Sequence, residues 1–196
     1  EQFRLPIDPA SRSFSVQGPA LQCSENGNLL SVQSSRVAFV FDKSTGLVTS
    51  YKVKGTEYFH EGFGIQPNFW RAPNDNDYGS QMPKRLQIWK QSSKNFNVVD
   101  ASLAMDGKDA VLKVSYLLAA GNLYIATYRI HPSGVVKANY TFTSTEMEAA
   151  KTEASEATLM ATFTPGNEAI RKESSKLVVP RIGVRFRLPA EMEQVT

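Results

Sequence analysis

Apolar and polar residues alternate over much of this chain, the period of a strand that buries one face. Arg36-Val37-Ala38-Phe39-Val40-Phe41-Asp42 sets successive side chains on opposite faces. Lys43-Ser44-Thr45-Gly46 then supplies turn residues, and Leu47-Val48-Thr49-Ser50-Tyr51-Lys52-Val53 continues as a second strand. The pattern predicts a hairpin whose connection ends in glycine.

The pattern returns in the second half of the chain. Residues 110–120 are rich in Val, Leu and Tyr, Gly121-Asn122 turns the chain, and residues 123–130 form another strand. Pro132-Ser133-Gly134 turns it again before residues 135–143, completing a three-stranded meander. Ile182, Val184, Phe186 and Leu188 fall on one face of a further strand. Strands separated by turn clusters predict an all-β, antiparallel sandwich. Two segments break the pattern. Residues 80–92 have room for one short helix around 84–90, with Leu86 and Trp89 sharing a face. Residues 146–175, rich in Ala, Glu, Thr, Lys and Ser, read as an excursion between strands. At most one or two short helices are expected, and there is no internal repeat.

The most unusual stretch is Pro67-Asn68-Phe69-Trp70-Arg71-Ala72-Pro73-Asn74-Asp75-Asn76-Asp77-Tyr78-Gly79. Proline lacks an N–H, and Asn and Asp side chains compete for backbone hydrogen bonds. The mixture therefore predicts an irregular polar loop, the kind of segment on which binding residues concentrate.

Composition narrows the function classes. The chain is 41% hydrophobic and 21% charged with a formal charge of +3. Its Lys and Arg are scattered, and Arg181, Arg185 and Arg187 alternate with other residues as on a half-buried strand, which argues against nucleic acid as a partner. No run approaches 18 apolar residues, so no membrane-spanning helix is expected. The single cysteine, Cys23, excludes an internal disulfide and a multi-cysteine zinc site. His131, before the Pro132-Ser133-Gly134 turn, reads as an exposed turn histidine. The opening Glu1-Gln2-Phe3-Arg4-Leu5-Pro6 has neither the basic nor the apolar part of a signal peptide. It reads as the start of a piece of a longer polypeptide.

The polar stretch superficially matches a calcium loop with Gly79 at the sixth position. Asn74, Asn76 and Tyr78 then take ligand positions, but Arg85 stands where a bidentate glutamate is required, so no metal site is expected. A pair of catalytic carboxylates is the second candidate. Asp75 and Asp77 could stand at the separation a retaining glycosidase uses, but Arg71 beside them lowers a carboxyl pKa and unsuits it as a general acid. The residues favour the plainer role, in which Asp75 and Asp77 knit the loop to itself and to Arg71. No nucleophile elbow or nucleotide-binding glycine loop is present.

Phe69-Trp70-Arg71-Ala72-Pro73-Asn74-Asp75-Asn76-Asp77-Tyr78-Gly79 resembles a signature near the start of the C-terminal, small-chain domain of the large family-2 β-galactosidases. The 41–51 hairpin and Pro180-Arg181-Ile182-Gly183-Val184-Arg185-Phe186 are similar to further parts of that domain. Residues 1–5 resemble the last strand of a preceding immunoglobulin-like domain. The resemblance implies a boundary near residue 20, with a galactose-mutarotase-like β-supersandwich over residues 21–196. It implies a parent enzyme that hydrolyses terminal β-galactosides with retention, through two glutamates on a TIM-barrel domain. Those glutamates have no counterpart here, so the resemblance implies that this chain alone is catalytically inert. It implies no cofactor in this chain, with Mg2+ and Na+ bound elsewhere in the full enzyme. Implied partners are a galactoside and the catalytic barrel of the same polypeptide, in a homo-oligomer. Compartment stays open between bacterial cytoplasm and periplasm.

Within that frame Arg71, Asn74, Asp75, Asn76, Asp77, Gly79 and Ser80 are the candidate pocket or loop residues. In the family, the loop that begins at the motif's last glycine moves beside the galactose pocket, and Gly79 could act there as a hinge by adopting positive φ. A free-standing carbohydrate-binding module is the alternative, with Trp70, Trp89 or Tyr78 exposed in a groove. A mutarotase-like epimerase is a further one, which would need a histidine acid and a glutamate base. Galactose titration and anomer interconversion would reveal these alternatives.

Overall fold

The computed structural model describes residues 17–119, 121–143 and 179–190. The expectations for residues 1–5 and 146–175 lie outside the described residues. Eleven strands, three short α-helices and one 3-10 helix (His60–Gly62) are described. The first sheet runs in sequence order through β1 (Gln22–Asn26), β2 (Leu29–Gln33), β3 (Val37–Asp42), β4 (Leu47–Val53) and β5 (Thr56–Glu57), every pair antiparallel. The β3–β4 hairpin is the one the sequence predicts. Gly46 closes it at φ 69°, a conformation that costs a side-chain-bearing residue but not glycine. Asp42 caps the turn by accepting from the Ser44 N–H at 2.8 Å.

The second sheet has the order β10-β9-β8-β7, from β7 (Phe96–Asp106), β8 (Asp109–Leu118), β9 (Leu123–Ile130) and β10 (Val136–Thr143). The expected meander is its β8–β10 part. Burial in β9 alternates without a break, with Tyr124, Ala126, Tyr128 and Ile130 inward. The inward faces of both sheets share one core. Phe39 of β3 lies 5.9 Å from Tyr128 of β9, ring centre to ring centre, and the Tyr116 hydroxyl of β8 donates to the Gly46 carbonyl at 3.0 Å. The edges β1 and β7 meet where Cys23 Sγ lies 3.4 Å from Met105 Sδ. The fold is thus an all-β antiparallel sandwich.

A third, small sheet pairs β6 (Gln66–Asn68) with β11 (Gly183–Arg185). The strand expected over residues 182–188 is therefore shorter than its alternation suggests. Ile182, Phe186 and Leu188 flank it and stay about half exposed. Gly64 precedes β6 where a Cβ would fall 1.4 Å from the Val48 carbonyl oxygen of β4.

Three helices, rather than one or two, connect β6 to β7: α1 (Asp75–Gly79), α2 (Met82–Arg85) and α3 (Gln87–Ser92). The single helix expected around 84–90 is split at Leu86, whose φ of −106° and ψ of 18° leave the helical region. Leu86 and Trp89 nevertheless both face the core.

His131 corrects another expectation. It is buried, not exposed, with Nδ1 2.8 Å from Asp109 Oδ1, while Arg129 reaches the other carboxylate oxygen at 3.2 Å. Burial works against the Asp109 charge, but hydrogen bonds from His131 and Arg129 outweigh it and hold its carboxyl below the usual range. The turn signal at 132–134 was sound, yet the histidine beside it is drawn inward by a carboxylate 22 residues away.

Candidate functional site

The motif is rooted in the core by its first aromatic. Phe69 is fully buried, its ring edge-on to Tyr124 at 5.2 Å and near Trp89 and Phe142. Its N–H donates to Ser93 Oγ at 2.7 Å, and that hydroxyl donates to the Trp89 carbonyl at 3.0 Å. The strand-like root and α3 are thereby tied together. Trp70 is half-buried, with the Lys90 ammonium 5.9 Å from its ring centre.

Beyond that root the expected irregular loop becomes helix α1. Each residue hostile to a helix interior stands where a helix tolerates it. Pro73 lies just before the start, Asn74 is the N-cap, and Asp75 and Asp77 sit in the first turn, where carboxylates suit the helix dipole. Gly79 is its last residue. Asn74 Oδ1 accepts from the Asp77 N–H at 3.0 Å, and Asp77 Oδ2 accepts from the Asn74 N–H at 2.8 Å, a reciprocal capping box.

Arg71 completes the lock. Its guanidinium meets both Asp77 carboxylate oxygens, Nη2 donating to Oδ1 at 2.7 Å and Nη1 to Oδ2. This forked pairing matches the planar geometry of both groups. The Arg71 hydrogen bonds, with that from the Asn74 N–H, hold the buried Asp77 carboxyl below the usual range. Asp77 therefore stays ionised and committed. The Ser80 hydroxyl donates to the Asp77 carbonyl at 3.1 Å.

Asp75 does not share this role. Asp75, Asn76 and Tyr78 are all exposed, and their side chains make no hydrogen bond, ion pair or ring contact with any described residue. The expectation that Asp75 and Asp77 both knit the motif together thus holds for Asp77 alone. A single unpaired carboxylate cannot supply the acid and nucleophile of a retaining glycosidase. What α1 does offer is one acceptor, one amide that donates and accepts, and one aromatic face.

Gly79 has no positive φ, and a Cβ there would meet nothing within 4 Å. Its conformational freedom is unused in this state. The left-handed residue is Gln81, at φ 56° and ψ 27°, between α1 and α2. It is held there by its N–H donating to the Tyr78 carbonyl at 3.0 Å and by Arg85 Nε donating to the Ser80 carbonyl at 3.0 Å. Nothing in the sequence announces it, because glutamine rarely adopts this conformation.

A half-open cavity of about 210 Å3 lies elsewhere, lined by Phe39, Tyr51, Tyr58, Phe59, Phe186 and Leu188 among others. It is apolar and contains no motif residue. The Tyr51 hydroxyl on its wall is donated to the Gly134 carbonyl. A ligand site needs a few convergent polar groups to fix orientation, so the motif is the stronger candidate. Among the described residues no cluster of three or more His, Cys, Asp or Glu side chains could hold a metal ion, and no helix is long and apolar enough to cross a membrane.

Comparison with known proteins joins the motif to a named group. The chain is 35% identical over 131 residues to a β-galactosidase of Priestia megaterium, covering 60% of this chain and 12% of that one. It is 29% identical over 119 residues to a β-galactosidase of Kluyveromyces lactis, covering 58% and 11%. It is also 29% identical over 77 residues to a β-galactosidase small subunit of Latilactobacillus sakei, covering 39% and 24%. The chain thus spans only a minor part of each relative's length. The family model described as the β-galactosidase small chain matches residues 33–196, which include the motif, β3 to β5 of the first sheet and all of the second, and the chain belongs to that family.

Proposed function

We propose that this chain is a non-catalytic lobe of a β-galactosidase, completing a galactoside pocket whose bond-breaking carboxyls stand on a larger catalytic polypeptide. The observation that carries it is the division within the motif. Asp77 is consumed by Arg71 and the Asn74 cap, while Asp75 and Asn76 stand exposed without a partner among the described residues. Sugar hydroxyls are both donors and acceptors, so a carboxylate beside an amide suits them. The rigid cap holds both in place before binding, which lowers the ordering cost. The 79–85 segment, turning at Gln81, is the part that adjusts when substrate enters.

The catalytic partner carries the acid and the nucleophile, and any Mg2+ or Na+ the enzyme uses is bound outside this chain. The test is direct. Purified residues 1–196 should release no product from a chromogenic β-galactoside above a blank. In the complete enzyme, the paired change Asp75→Ala and Asn76→Ala should raise KM. Turnover by residues 1–196 alone would overturn the non-catalytic assignment, and an unchanged KM would remove the pocket role.

A further inference from the structure

We propose that the exposed ring of Tyr78 is a stacking platform for a pyranoside, making it a specificity-determining residue of the pocket. This rests on the function proposed above. Four aromatic residues lie in or near the motif, and three are accounted for by the fold, the buried Phe69 of the root among them. Trp89 is 1% exposed, and Trp70 is half-buried beside the Lys90 ammonium. Tyr78 is 63% exposed, the highest value among the exposed large hydrophobic side chains described, and its ring touches no other ring among the described residues. Such a ring forgoes the stabilisation that burial would bring.

Its surroundings fit a sugar better than a protein surface. In a helix, positions three and four apart share a face. Asp75, Tyr78 and Gly79 therefore line one side of α1. Asp75 offers a carboxylate without a partner among the described residues, and a Cβ on Gly79 would meet none of them within 4 Å. A pyranose ring presents a patch of C–H groups on one face and hydroxyls at its rim. The C–H patch packs against the electron-rich face of the phenol, and a rim hydroxyl donates to Asp75. A protein partner would call for several apolar side chains clustered together. Here the neighbours are Asp75, Asn76, Ser80 and Gln81, all exposed and polar. The Arg71–Asp77 pair and the Asn74 cap fix the helix that carries the ring, so little freedom is lost on binding.

The experiment is steady-state kinetics of the complete enzyme on a β-galactosyl disaccharide, with Tyr78→Ala, Tyr78→Phe and Asp75→Ala. Tyr78→Ala should raise KM about tenfold, with little change in kcat or unfolding midpoint, as loss of one stacked ring permits. Tyr78→Phe should stay within about twofold of the parent, because the ring rather than its hydroxyl carries the contact. An unchanged KM in Tyr78→Ala, or a Tyr78→Phe enzyme as impaired as Tyr78→Ala, would overturn the proposal. If Asp75→Ala raises KM while Tyr78→Ala does not, the platform falls and the pocket role stands. If neither moves KM, both fall.

Discussion

The root and the tip of the motif are built on opposite terms. At the root, Phe69 is enclosed by Tyr124, Trp89 and Phe142, and its N–H is bound by Ser93. At the tip, α1 is only five residues long and holds its shape through polar contacts: the Asn74–Asp77 box and the Arg71 fork. Packing holds the first, while charge and hydrogen bonds hold the second. The two should therefore fail under different conditions, and only the second leaves side chains over.

The sharpest way to break the comparison is Phe69→Ala. Emptying so enclosed an aromatic site should cost about 3–5 kcal/mol of stability, read as a lower denaturant midpoint. A cost under about 1 kcal/mol, the range of an exposed site, would mean the root is not the anchor.

Acid should act on the tip instead. Asp77 has a folded pKa below its unfolded value, chiefly through the Arg71 hydrogen bonds. Its contribution is fully present above the unfolded value of about 4 and is lost as pH falls through the lower, folded one. The parent should therefore out-melt Asp77→Asn at neutral pH, with the gap in Tm closing only as pH drops below about 4. A gap that stays constant down to strong acid would show that the carboxylate's charge is not what holds α1.

The smallest expected effect is that of Gly79→Ala. The added methyl meets nothing, and alanine favours a helix over glycine, so stability should be unchanged or rise by up to about 1 kcal/mol. In the complete enzyme, a shift of kcat and KM together would then report a second conformation in which residue 79 leaves the helix. Unchanged kinetics would leave Gln81 as the sole turning point of the segment.

The parts of the molecule legible in the sequence are those where one local rule decides the outcome. The β3–β4 hairpin and the β8–β10 meander combine alternation with turn residues, and both stand as predicted. The β7 strand escapes because its register shifts between Val98 and Asp100, which interrupts the period of two. The motif was visible as special, but its conformation was not. The same Asn and Asp residues that oppose a helix interior initiate one when the cap and first turn receive them. His131 and Gln81 were missed because their states depend on Asp109 and on Ser80–Arg85 contacts that no nearby pattern encodes.

Gly64 has a mechanical consequence for the motif. With no side chain between residue 64 and the Val48 carbonyl, the chain rests backbone against backbone on β4. No compliant layer lies there to absorb a mismatch. Any displacement of the first sheet is passed through residues 65–68 to Phe69, so the exposed tip takes its position from the sheet beneath it.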